Sequence, residues 1–170
     1  NKVIITLKGA TLIDKLPTIK KELLKNGNIL RMATCTTVIG QPAGMTLASV
    51  DNNDGIMERV SLKFMSVGED YIEVMGMQIE EGRDFSKKLL TDVGMSFIVN
   101  EAMVKKMGWK EPLGKRIQLG LPNGRVIGVV KDFHFTSVHN PIEPFIFLVS
   151  ATPNQYFYVR LAENNIPAAV

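Results

Sequence analysis

The run Asn100-Glu101-Ala102-Met103-Val104-Lys105-Lys106-Met107-Gly108 has both ends of a helix written into it, and the chain around it must be read from there. Asn is a strong N-cap, because its side-chain oxygen takes an amide hydrogen the first turn leaves free. Glu101 suits the positive end and Lys105 and Lys106 the negative end. Gly108 stops the helix by entering the left-handed conformation. Residues 101–107 are therefore a short helix, with Met103, Val104 and Met107 on one side. Residues 97–99 before it read as a strand. Pro112 and Gly114 mark a turn. Residues 115–119 alternate polar with apolar, as a half-buried strand does. Asn123-Gly124 is a strong hairpin signal, because a type I′ turn needs positive φ at both central positions. Residues 126–135 then read as a long returning strand.

The flanks read as strands and short helices too. Residues 3–7 form a strand. Leu12, Leu16, Ile19 and Leu23 fall at helical spacing. Pro17 either sits in the first turn of that helix or kinks it, and Asn26-Gly27 ends it. Residues 29–38 are a second strand, so the first part of the chain is a strand-helix-strand unit of the length a right-handed crossover needs. Residues 40–55, with Pro42, Gly44 and Asp51-Asn52-Asn53-Asp54, read as an exposed, mobile loop. Residues 58–67 read as a strand and 68–74 as a short helix. Residues 77–79 lead to a turn at Gly82. Ser86 caps a helical turn through Leu90, and residues 145–149 and 156–161 are strands. The chain opens inside a strand pattern and closes on Asn165-Ile166-Pro167, a helix start. The expectation is that the natural protein continues, with a helix and a strand after Val170.

A chain of 170 residues, 45% apolar and 22% charged, suits one domain or two small subdomains with a real core. Its longest apolar run, near residues 145–149, falls far short of the roughly 20 residues a membrane helix needs. Cys35 is alone, so no internal disulfide forms. The net charge of +3 is uneven: residues 1–31 carry seven Lys/Arg against Asp14 and Glu22. Such a basic end is either a solvated helix face or a surface near anionic headgroups.

Little of this carries chemistry. Asp132, His134, Ser137 and His139 invite a hydrolase reading, and Asp132 and His134 would share a face of a strand. Ser137 would have to bend back past the strand end, and no Gly-x-Ser-x-Gly elbow is present. The plainer reading is that Asp132 and His134 tie a strand end to a neighbouring turn. Two histidines and one distant cysteine match no zinc pattern. The glycines of 120–128 are not followed by Gly-Lys-Ser/Thr, so they make no P-loop. The strands at 3–7 and 29–38 lack the aromatics an RNA-binding sheet presents, so no nucleic-acid partner is expected. Arg83 and Asp84 suit either an interdomain contact or a local turn, in which Asp84 bonds nearby backbone and Phe85 anchors in the core. Trp109 is either a partner anchor or a buried rim aromatic. Met103 and Met107 read as core, against a soft methionine binding surface.

Several short pieces, in order, resemble a known family: Tyr71, Met75-Gly76, Gly82-Arg83-Asp84-Phe85, Val99-Asn100-Glu101-Ala102, Pro112-Leu113-Gly114-Lys115, and Val126-Ile127-Gly128-Val129 leading into Lys131-Asp132-Phe133-His134-Phe135. No piece is specific alone; their order and spacing resemble the periplasmic core domain of MacB-like, FtsX-family ABC transporter permeases. The resemblance implies an α+β fold. Residues 1–76 and 141–170 would form a porter-like βαβ layer on a ferredoxin-like plan, its second unit truncated, with an inserted, mostly β, sabre-like subdomain at 77–140. It further implies a noncatalytic domain on the periplasmic side of a bacterial inner membrane, without cofactor or metal, flanked by membrane helices. Its expected partners are a cytoplasmic ABC ATPase, a periplasmic adaptor protein and a second copy in the assembled transporter, with the fragment itself a monomer or weak dimer. Its role would be to pass ATP-driven motion to the periplasmic side. The alternative is a periplasmic ligand- or peptide-binding module using a cleft between the subdomains. An apolar cavity at their junction favours that alternative, and a filled junction favours transmission.

Overall fold

The computed structural model describes residues 2–6, 15–120, 123–136, 139–149 and 155–162. Among them, ten strands join one continuous ladder. They are β1 (Lys2–Thr6), β2 (Ile29–Cys35), β3 (Gly44–Asp51), β4 (Met57–Val67), β5 (Ile79–Gly82), β6 (Ser96–Asn100), β7 (Arg116–Gln118), β8 (Gly124–Val130), β9 (Phe145–Val149) and β10 (Tyr156–Leu161). Three regular helices accompany them, α1 (Leu16–Leu23), α2 (Tyr71–Met75) and α3 (Glu101–Met107), with one kinked helical turn at Asp92–Met95. The result is a mixed fold dominated by sheet.

The ladder has two parts. In the first, β10 lies between β1 and β2 and is antiparallel to both, so β1 and β2 run parallel with α1 crossing between them. Alternation along β10 divides its side chains between two cores. Phe157, Val159 and Leu161 join Ile29, Met32, Leu16 and Leu23 under α1. Tyr158 faces the other way, toward α2.

In the second part the ladder closes on itself, running β4-β3-β7-β8-β6-β9 and back to β4. Ala48, Val50, Val60, Leu62, Phe97, Val99, Ile117, Val126 and Ile146, one or two from each strand of this ring, make a single cluster with Met103 of α3 and Trp109. Closure removes the edges an open sheet exposes. It also leaves β6 and β9 buried on both faces: Ile146 faces the ring interior, while Phe145, Phe147 and Val149 pack into the core beneath α2. Burial on both faces explains why residues 145–149 are apolar without alternation.

The two parts meet at one residue pair, Cys35 opposite Val67. The backbone bonds there are Thr36 N–H to the Ser66 carbonyl at 3.0 Å and Gly68 N–H to the Thr34 carbonyl at 2.9 Å.

Several expectations need correcting. Residues 40–55 are not a loop throughout. Residues 44–51 form β3, paired along its whole length with β4. The alternation Met45-Leu47 outward, Ala48-Val50 inward was hidden by the flanking Pro42, Gly44 and Asn/Asp cluster, of which only 52–56 turn the chain. Asn52 pins that turn by accepting the N–H groups of Asp54 and Ile56 on its side-chain oxygen. Asn123-Gly124 makes no type I′ hairpin either. Ile117 stands opposite Gly124, so the connection spans 118–123, and Gly124 lies outside the left-handed region. Gly124 is glycine for space: a Cβ there would lie 2.4 Å from the Phe97 ring and 2.7 Å from the Met95 carbonyl oxygen. Residues 126–135 do not continue as a strand, since β8 stops at Val130. Residues 79–82 form the short β5, where only a lead-in was expected. Ser86 caps no helix; its hydroxyl accepts the Lys88 N–H in a tight turn. Leu7, Leu12 and the helix start at 165–170 lie outside the described residues.

The helix from Glu101 to Met107 is as expected, with Gly108 left-handed at φ 64°. Its cap does more than start it. Asn100 is fully buried, and its side-chain oxygen accepts the N–H of Met103 at 3.2 Å and of Phe145 at 2.9 Å. Its side-chain nitrogen donates to the Glu143 carbonyl at 3.0 Å.

Two substitutions test this description by urea unfolding. Asn100→Ala removes a cap and strands two buried backbone groups, so a loss of about 3 kcal/mol is expected. Gly124→Ala is expected to cost roughly 2 kcal/mol by overpacking against Phe97. A neutral Gly124→Ala would mean that the ring has room for a Cβ there and that the glycine is not kept for space.

Candidate functional site

The residues that suggested catalysis are held by the fold. Asp132 leaves β8 and accepts the Ala102 N–H at 2.8 Å, while its own N–H donates to Glu101 Oε2 at 2.9 Å. This reciprocal pair fastens the start of α3 to the end of β8, as a capping box fastens a helix to its own entry. The tie runs to a helix, not to the turn expected. His134 is exposed on the irregular segment that follows, and Ser137 lies outside the described residues. Asp132 and His134 therefore share no strand face. No group of three or more metal-ligating side chains is found among the described residues.

Arg83 and Asp84 do different jobs from one another. Asp84 accepts the Phe85 N–H at 2.7 Å and Phe85 is buried, as a local turn requires. Arg83 grips Asp92 through two bonds, at 2.7 and 2.8 Å. Asp92 is only 1% exposed and also accepts from the Ser86 N–H and the Ser96 hydroxyl, each at 2.8 Å. Arg83 and these bonds hold the Asp92 carboxyl below its usual range. A bidentate fork matches a carboxylate better than a lysine would. Asp51 is the same device on the ring. Arg116 bonds both its oxygens, holding that carboxyl low, and the Asp51 carbonyl accepts the Trp109 Nε1–H at 2.6 Å. Trp109 is thus a buried aromatic and no exposed anchor. Sequence reading found neither clamp, because Asp92 and Asp51 stand beside turn residues and carry no local mark of burial.

Asp84 makes no ion pair among the described residues, and Arg83 lowers its pKa only weakly. Burial, with Glu73 and Asp70 nearby, pushes its pKa up to about 6. Asp70 feels burial too, but bonds from Lys20 and Lys87 outweigh it and hold that carboxyl low. Asp70 thereby ties α1 and the turn at 87 to the start of α2.

The junction of the two parts is filled. Tyr71, fully buried on α2, lies 5.9 Å from the rings of both Phe147 and Tyr158. Phe133, Phe135, Phe145 and Phe147 continue the stack at centroid spacings of 4.9 to 6.4 Å. The Tyr158 hydroxyl accepts the Ile39 N–H at 2.8 Å. A hollow of about 20 Å³ beside Phe133 and Phe145 has room for about one water. An open cleft of about 360 Å³ runs outside the stack, lined by both polar and apolar groups, among them Lys2, Met77 and Asp132. No helix among the described residues is long and apolar enough to cross a membrane.

Comparison with known proteins converges on one family. The family model described as the MacB-like periplasmic core domain matches residues 18–170. A curated relative, the macrolide export ATP-binding/permease protein MacB of Bartonella quintana (strain Toulouse), is 22% identical over 90 residues. That alignment takes in 51% of this chain and 14% of the relative, so the chain spans only a small part of it. The periplasmic region of MacB from Actinobacillus actinomycetemcomitans superposes with a TM-score of 0.65 at 16% identity, covering 96% of this chain and 75% of that one. The extracellular domain of the noncanonic ABC-type transporter YknZ from Gram-positive bacteria gives 0.61 at 14% identity, covering 96% and 85%. A domain of a putative permease from Porphyromonas gingivalis gives 0.58 at 19%, covering 89% and 68%. At these identities the structures establish a shared fold.

The unpaired Asp84 makes a signed prediction. Its folded pKa lies above the unfolded value near 4, so the folded state holds its proton more tightly. That contribution is complete below about pH 4 and is lost as pH rises through about 6. Asp51, Asp70 and Asp92 act oppositely, their contribution being lost as pH falls through their depressed values. Asp84→Asn keeps an oxygen for the Phe85 N–H and is expected to raise stability at pH 7 by on the order of 2 kcal/mol. The gain should vanish by about pH 4. Thermal unfolding across pH 4 to 7 checks it, and a gain independent of pH would place the effect elsewhere.

Proposed function

The chain belongs to the MacB-like periplasmic core domain family, and from that premise we propose that it is a noncatalytic domain that carries ATP-driven motion of membrane helices to the periplasmic side, toward a substrate or an adaptor protein. The observation that carries this reading is the filled junction. Aromatic rings occupy the place where a ligand-binding module would keep a cavity. A packed junction has a few discrete arrangements, so force applied to one side moves the other as a body. The stack leaves the outer cleft beside Lys2 and Met77 as the location for the alternative, a bound peptide or small ligand.

The ATPase, the adaptor and a second copy are partners proposed from the family likeness. Two features are consistent with membrane helices on both sides: β1 and β10 are paired, and Lys2 stands opposite Arg160. The two routes out of the described fold therefore leave side by side. The three strands β1, β10 and β2 under α1 are the part proposed to follow the porter-like, ferredoxin-like plan. The division first expected, with 77–140 as the inserted sabre-like unit, cuts the closed ring at the β3–β7 and β6–β9 ladders. The join at Cys35 and Val67 is a narrower place to bend. We take it as the hinge, with the ring moving as one body.

Spin labels in the intact permease with its ATPase test both points. Lys21→Cys sits on α1, Arg59→Cys on β4 and Lys110→Cys beyond α3, all exposed. Cys35 is buried, with its thiol pushed up to about 12, and stays unlabelled. Nucleotide is expected to change the 21–59 and 21–110 distances and leave 59–110 fixed. Changes in 59–110 and 21–110 with 21–59 fixed would make 77–140 the moving unit. Three distances indifferent to nucleotide would sink the transmission reading.

A further inference from the structure

The groove between β5 and α3 plays no part in the hinge. Its floor is Val104, Val129 and the edge of Trp109; its walls carry Glu80, Glu81 and Glu101, with Lys105 as the cation among the lining residues. It holds about 480 Å³ and is open to solvent.

Consecutive residues of a regular strand face opposite sides. In β5 they do not. Ile79 stands opposite Val130 and Glu81 opposite Val129, so the register slips by one residue at Glu80. A bulge of this kind re-aims a side chain, and here both glutamates line one groove. Lys131 answers Glu80 at 3.2 Å, while the Glu81 carboxylate makes no hydrogen bond or ion pair among the described residues. The groove is therefore acidic over an apolar floor, although the whole chain carries a net charge of +3.

A second observation narrows the occupant. β5 pairs only with β8, and among the described residues no strand lies along its other edge. An open edge accepts an extended chain, with main-chain bonds supplying affinity and alternate side chains supplying specificity. Two glutamates on that edge repel another copy of the same strand, so self-pairing is disfavoured and a chain of opposite charge is favoured.

We propose that this groove docks an extended cationic segment of a partner protein, its Lys or Arg side chains meeting Glu80 and Glu81 and its alternate apolar side chains resting on Val104 and Val129. The inference does not rest on the transmission reading, since a peptide docks or fails to dock whatever drives the permease.

Trp109 is the chain's one tryptophan, so its fluorescence reports this groove. The probe is an end-blocked peptide of alternating Lys and Val, compared with Ser-Val and Glu-Val peptides of equal length. The Lys-Val peptide is expected to change Trp109 emission saturably, and less so at high salt. Glu80→Gln with Glu81→Gln should weaken it about tenfold. Lys105→Glu should strengthen it, and a gain cannot come from misfolding. Equal binding of the Ser-Val peptide would reduce the groove to an apolar surface and overturn the proposal. So would no response to Lys-Val at millimolar concentration, or equal binding by the double glutamine variant.

Discussion

A single buried amide organises the closed ring. Asn100 ends β6, and both polar atoms of its side chain bond the backbone: the oxygen takes the amides of Met103 and Phe145, and the nitrogen donates to the carbonyl of Glu143. Those partners start α3 and β9. β9 must then lie between β6 and β4, antiparallel to one and parallel to the other, which closes the ladder. A polar group this deep is tolerated when its atoms are bonded, and three directed bonds to the backbone admit few other arrangements. One residue thus fixes a helix start, a strand start and the order of strands around the ring.

Closure has a consequence for packing. β6 and β9 present one face to the ring interior and the other to the core beneath α2, so the two clusters share a wall. Ile98 and Phe147 face α2 from the same strands whose Phe97 and Ile146 fill the ring. A shift of the core under α2 must displace that wall or slide along it. Close-packed interiors resist the first, because voids and overlaps both cost. The layer of β1, β10 and β2 is therefore freer to rock on the wall than to deform it.

The legible parts of the chain were those whose signals are local. The cap, charges and stop glycine of α3 are set by their own sequence neighbours, and each is found where it was expected. Pro17, read as either a first-turn residue or a kink, takes the first of these places, in the first turn of α1. β3 was missed because Pro42, Gly44 and the Asn/Asp run at its ends outweigh the weak alternation between them. Gly124 misled for a related reason. Asn-Gly is a turn signal only if glycine is there for its φ, whereas this glycine makes room for Phe97, a contact made across the sheet. The clamps on Asp51 and Asp92 were invisible for the same cause, each arginine being selected by a carboxylate in another element or loop. The resemblance supplied the family, and no local reading of residues 131–134 or of the clamps would have led there.

The clamps bear on how motion crosses the molecule. Asp92 is buried with its charge intact only because Arg83, Ser86 and Ser96 converge on it, which anchors the loop between β5 and β6 to the ring. Asp51 does the same for the turn that meets α3. Breaking either would leave a buried charge unpaired, a cost of several kcal/mol. Ties across the join between the two parts are of another kind: Arg31 to Glu73 is exposed on both sides, and Lys20 to Asp70 is partly so. Pairs that water can replace contribute little to stability and can be exchanged at little cost. Strong polar locks within the ring and weak ones across the join leave the join as the compliant place.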